Sequence, residues 1–196
     1  MRIVISEFIS LDGVVQAPGG PDEDTDGGFT HGGWTAPYFD PEVLGGFIDG
    51  ALSSAEALLF GRRTWKVMAG AWPERSGDPF SDRMNALPKY VVSRTLTTED
   101  LTWNSTLVPG DEAVPRLRAL AGAEGGDLLV MGSPALVRTL LAEDLVDELR
   151  LMTMPVLLGG GKSIFPADGG LRTLALAGTA TTPKGVVTST YRRTTG

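Results

Sequence analysis

The chain contains no cysteine, and its 196 residues include a single histidine. Disulfides, thiolate metal sites and a cysteine nucleophile are therefore excluded. His31 stands alone between Thr30 and Gly32, with no second ligand to share a metal. Apolar runs such as Ala57–Phe60 and Leu128–Met131 fall far short of a membrane span. Arg2 leads straight into Ile3-Val4-Ile5 with no secretory h-region, so a cytoplasmic protein is expected. A basic excess is missing too. Seventeen Lys and Arg stand against 24 Asp and Glu, a net charge of −7, which argues against a nucleic-acid partner.

What is present fits one ordinary globular domain over residues 1–196, with 42% hydrophobic and 21% charged residues. β-like and helical patterns alternate along it. Strands are expected at 2–8, 57–60, 90–92, 106–108, 127–131 and 149–158, with a closing hairpin from 173–182 and 186–193 around Pro183-Lys184-Gly185. Helices are expected from Asp40, with Pro41 at its first position, and at about 63–69, 79–87, 112–121 and 134–142. Residues 17–38, rich in Gly, Pro and acids, read as a long surface loop and a candidate lid over a small-molecule substrate. The fold class is α/β with an antiparallel C-terminal edge.

Three places suit an anion. Phe60-Gly61-Arg62-Arg63-Thr64-Trp65 ends a strand and opens a helix, so free amides and two forked cations share one turn. Met131-Gly132-Ser133-Pro134 repeats that logic, with Ser133 as the expected helix cap. Ser93-Arg94 ends a third strand with a hydroxyl and a guanidinium, a pair suited to a terminal phosphate such as the one on the adenosine ribose of NADPH. Neither the Rossmann Gly-x-Gly-x-x-Gly fingerprint nor a Walker motif is present; Gly159-Gly160-Gly161-Lys162 has neither the spacing nor a following helix. Trp34, Trp65, Trp72 and Trp103 read as packing residues, with Trp34 and Tyr38 also candidates to wall a flat heterocycle.

Taken in order, Ser10-Leu11-Asp12-Gly13-Val14, Gly61-Arg62-Arg63-Thr64-Trp65, Val92-Ser93-Arg94, Gly132-Ser133-Pro134 and Pro155-Val156-Leu157-Leu158-Gly159-Gly160-Gly161 resemble the dihydrofolate-reductase-like superfamily. More closely, the chain resembles stand-alone relatives of the riboflavin-biosynthesis reductase domain, from about residue 2 to 193. The resemblance implies a three-layer fold around a mixed sheet of about eight strands. It also implies an NADPH-dependent reductase acting on a small heterocycle or a ribosylamino-pyrimidine. Gly61, Arg62, Arg63 and Thr64 would then meet the cofactor phosphates, Ser93 and Arg94 the 2′-phosphate, and Gly132-Ser133 the pyrophosphate. Asp40, after a Trp-containing loop, and Asp12, in the Ser-Leu-Asp-Gly turn, are the rival proton donors. Relatives often pair at the C-terminal edge, so a homodimer is expected. A dihydrofolate reductase and a non-catalytic NADPH-binding sensor remain alternatives.

Overall fold

The apolar run that opens the chain forms β1 (Arg2–Ser10). In the computed structural model, which describes residues 1–194, five further strands run parallel with it. They are β2 (Ala55–Gly61), β3 (Lys89–Ser93), β4 (Ser105–Pro109), β5 (Asp127–Val130) and β6 (Glu148–Met154). β7 (Leu174–Thr181) and β8 (Val187–Arg193) form a hairpin whose β8 lies antiparallel to β6. The single sheet has the order β4-β3-β2-β5-β1-β6-β8-β7. This is the expected mixed eight-stranded sheet with its antiparallel edge.

Side chains alternate across a strand, so β1 feeds two cores. Ile3, Ile5 and Ile9 cluster with Leu117 of α4 (Ala113–Gly122) and with Val137, Leu140 and Leu141 of α5 (Pro134–Ala142). Val4 joins Leu58, Phe60 and Leu129 on the other face. There they meet Leu52 of α1 (Val43–Ser54), Trp65 of α2 (Arg62–Ala71) and Met84 of α3 (Pro79–Ala86). With helices on both faces the central strands need no polar side, which explains the unbroken apolar runs of β2 and β5.

Two boundaries differ from expectation. The strand expected to reach Leu158 stops at Met154, because Pro155 has no amide to donate and Val156 N–H folds back to the Met154 carbonyl at 2.8 Å. The first helix becomes regular only at Val43, although Asp40 still caps it: Val43 N–H donates to Asp40 Oδ1 at 2.9 Å. Residues 17–38 are less superficial than their composition suggests. Trp34 is buried with Leu44, Met152 and Met154, and its Nε1–H donates to the Gln16 carbonyl at 2.7 Å. It is a core residue rather than a wall for a heterocycle. Among the described residues no helix is long and apolar enough to cross a membrane.

Leu129, 1% exposed in a strand flanked by β1 and β2, has no room to relax. Leu129→Ala should cost about 2–5 kcal/mol of stability, read as a lower urea midpoint with an unchanged slope.

Candidate active-site cleft

Parallel strands that start together also end together. Gly61 lies opposite Val92 and Leu59 opposite Val130, so the carboxyl ends of β2, β3 and β5 share one edge of the sheet. A cleft of about 1820 Å³ runs along that edge, the usual position for a ligand in such sheets. The three segments chosen from sequence converge on it. Gly61, Arg62, Arg63, Thr64, Ser93, Arg94, Gly132 and Ser133 all line the cleft.

The turn after β5 is built on left-handed backbone, with φ of +85° at Gly132 and +69° at Ser133. A Cβ at Gly132 would stand 2.9 Å from Thr64 Cγ2. The expected cap of α5 by Ser133 is not made. The left-handed conformation carries its hydroxyl toward β2 instead, where Ser133 Oγ accepts the Gly61 N–H at 2.6 Å. Gly61 eases that approach, since a Cβ there would lie a tight 3.1 Å from Ser133 Oγ. At the third site Ser93 Oγ accepts the amides of Thr95 and Leu96, at 3.1 and 2.9 Å. That turn leaves Arg94 exposed at the rim. Arg62 is steadied beside it, donating to Thr95 Oγ1 at 2.9 Å.

Loop 17–38 closes one side of the cleft and brings acids to the cations. Asp26 pairs with Arg63, and Lys162 reaches Asp24 at 2.6 Å and Asp26 at 3.0 Å. Gln16 Nε2 donates to the carbonyls of Asp24 and Asp26, both at 3.0 Å, and fixes the acidic bend. The Arg63 hydrogen bond, followed by Lys162, holds the Asp26 carboxyl below its ordinary range.

The two acids singled out in the sequence take other positions. Asp12 accepts Ser10 Oγ–H at 2.5 Å and the amides of Leu158 and Gly159 at 3.1 and 2.7 Å. Those bonds keep its carboxyl below the usual range and clamp the first turn to the triple-glycine turn. Asp40 caps α1. Neither lines the cleft. His31 is exposed against the edge of Phe29, and no metal-binding cluster occurs among the described residues.

Besides the loop acids, the cleft is lined by a strand acid, Glu7, which sequence reasoning passed over. It is 4% exposed in β1, on the face shared with Ile5 and Ile9. Its Oε1 accepts the Gly132 N–H at 3.0 Å, and no ion pair compensates it among the described residues. Burial pushes its pKa up to about 8, with a smaller push from Glu23. The available signal was a lone carboxylate in the otherwise apolar stretch Ile3-Val4-Ile5-Ser6-Glu7-Phe8-Ile9. Beyond it the cleft turns apolar, lined by Phe8, Ile48, Phe39 and Met152, with the Ser6 hydroxyl buried and unpaired.

This sheet order and the cleft across its parallel strand ends define the α/β fold of the dihydrofolate-reductase-like proteins. Within that class the chain belongs to the RibD C-terminal domain family, whose model matches residues 2–188. It is 28% identical over 195 residues to YyaP of Bacillus subtilis strain 168, an uncharacterised protein, covering 97% of this chain and 94% of that one. The fold is similar to that of a protein provisionally assigned to riboflavin biosynthesis from Shewanella sp. PV-4, with TM-score 0.67, 20% identity and 100% of both chains covered. It is also similar to a pyrimidine reductase-like protein from Corynebacterium diphtheriae, with TM-score 0.65, 14% identity and coverage of 100% and 92%. Dihydrofolate reductase from Enterococcus faecalis, solved with NADP(H), aligns with TM-score 0.62 at 15% identity over 99% and 97% of the two chains.

The buried acid makes a prediction that needs no ligand. A carboxyl raised from 4.5 to about 8 favours folding fully below pH 4.5, and that contribution is lost as pH climbs toward 8. Glu7→Gln keeps an acceptor for Gly132 without the ionisation. It should therefore melt at a higher temperature than the parent at pH 8, with the gain shrinking as pH falls toward 5.

Proposed function

We propose that this protein is an NADPH-dependent reductase of a small heterocyclic or ribosylamino-pyrimidine-type substrate. One observation carries the reading: three sequence-distant segments whose residues suit an anion line a single cleft at the carboxyl ends of β2, β3 and β5. The cleft exceeds the few hundred to about 1,000 Å³ typical of small-ligand pockets, so a dinucleotide and a substrate fit together. Membership of the RibD C-terminal domain family supports reductase chemistry. The Enterococcus faecalis enzyme with bound NADP(H) supports the cofactor.

The residues present suit that cofactor. The start of α2 offers free amides beside Arg62 and Arg63, and the Gly132–Ser133 turn allows close backbone approach. Ser93 spends its lone pairs on backbone amides, which leaves its hydroxyl proton to donate beside Arg94 to a 2′-phosphate. When bound, the cofactor would supply hydride. The chain's own work is to seat it, to exclude water with loop 17–38, and to hold the substrate ring against Phe8, Ile48 and Met152. With Asp12 and Asp40 committed to backbone amides, the proton that accompanies reduction comes from water at the open side of the cleft.

The same proposal includes a homodimer. Every residue of β7 is exposed, and its outer edge is unpaired. Leu174 and Leu176 stand on that strand at 39% and 57% exposure. An antiparallel β7–β7 contact about a twofold axis satisfies both edges at once.

Titration of tryptophan fluorescence with NADPH and with NADH tests the cofactor. NADPH should bind at micromolar concentration or tighter and in preference to NADH, whereas binding of neither removes the proposal. Arg94→Ala should weaken NADPH by about tenfold or more and leave NADH nearly unchanged. Light scattering on a sizing column should give twice the chain mass for the parent and one chain mass for Leu176→Lys.

A further inference from the structure

Glu7 has a role that neither the fold nor the proposed hydride transfer requires. Its carboxyl lies beneath the Gly132–Ser133 turn, where an anionic ligand would be seated, and a carboxylate is the wrong neighbour for a phosphate. One oxygen, Oε1, accepts the Gly132 amide. The other, Oε2, makes no hydrogen bond among the described residues. It is also absent from the fully enclosed unpaired side-chain atoms, which are Ser6 Oγ and Arg150 Nε, so it opens to the cleft.

The charges around it give its anion no help. From the loop, Glu23 acts on it with the same sign. Asp24 and Asp26 are held by Lys162, and Arg63 by Asp26. From α5, Arg138 is turned away to the Ser163 carbonyl. From β6, Arg150 lies on the opposite face of the sheet, stacked on Phe47 at 4.3 Å. A carboxyl so enclosed, with no cation, rests as the neutral acid at neutral pH. In that form Oε1 still accepts from Gly132, and the acid O–H on Oε2 is left as a donor.

We propose that Glu7 is a ligand-binding residue that works as a neutral acid, donating its O–H to the anionic ligand on the Gly132–Ser133 turn. The cleft then accepts that anion only while Glu7 holds its proton. Loss of the proton does two things at once: it removes a donor and sets a buried negative charge beside the ligand. The inference rests on the proposed function for the identity of the ligand, but its proton requirement holds for any pyrophosphate ester seated there.

The experiment measures the NADPH dissociation constant from pH 7 to 9.5 for the parent and for Glu7→Gln. ADP-ribose serves as a second probe, because it carries the same pyrophosphate without nicotinamide or 2′-phosphate. For the parent, affinity should fall about tenfold per pH unit above pH 8. The glutamine variant should show a nearly flat profile. Calorimetry of the parent at pH 8.5 in two buffers of different ionisation enthalpy should show net proton uptake on binding. Equal slopes in the two proteins, or no proton uptake by the parent, overturn the proposal. If ADP-ribose shows the pH dependence and NADPH does not bind, the cofactor assignment fails and the role of Glu7 stands. If neither ligand binds at any pH, both fall.

Discussion

The hydrogen bond from the Gly61 amide to Ser133 Oγ joins the ends of β2 and β5, and the shape of the cleft follows from it. Each strand end feeds a helix start, so fixing one end to the other fixes two sets of backbone amides relative to each other. The contact is favoured by the absence of a side chain at residue 61, where a Cβ would crowd Ser133 at 3.1 Å, and by the left-handed backbone of Gly132 and Ser133. The Gly132 amide is taken by Glu7 on the neighbouring strand β1. One turn thus links three adjacent parallel strands. The cost of a strained serine and a buried acid is met by the packing of α5 against Ile3, Ile5 and Ile9.

Charge is arranged against the protein's overall sign. A chain with net charge −7 repels anions at a distance, yet Arg62, Arg63, Arg94 and Lys162 all line one cleft. The anion binding we propose there would depend on short-range geometry rather than on long-range steering. The distribution also accounts for two acids of the loop: Asp24 and Asp26 find Lys162 and Arg63, and the loop gains an anchor that its glycine-rich sequence could not provide.

Much of this architecture was legible in the residues. Apolar runs without alternation gave the buried parallel strands, and the Pro183-Lys184-Gly185 turn gave the closing hairpin. The three segments that line the cleft were readable because each pairs a strand end with a glycine, a hydroxyl or an arginine, which are local signals. What stayed hidden depends on contacts between segments far apart in sequence. Ser133 looked like a cap because Ser-Pro before a helix usually is one, and only the approach of Gly61 redirects its hydroxyl. Asp12 looked catalytic because its clamp partners, Leu158 and Gly159, lie 146 and 147 residues away. Glu7 was overlooked because a carboxylate inside a strand normally marks a solvent-facing edge, and here β5 and β6 flank it on both sides.

The pairing of Asp26 with Arg63 means that the proposed anion seat already contains an anion. A ligand arriving there exchanges one negative partner for another instead of neutralising a bare cation. The number of small counterions released to solution is then lower than the count of arginines in the cleft implies, and the entropy of that release contributes less. Rising ionic strength also loosens the internal pair while it screens the incoming ligand, so the two effects oppose each other. A surface that looks strongly salt-sensitive by composition is in this way buffered by its own loop.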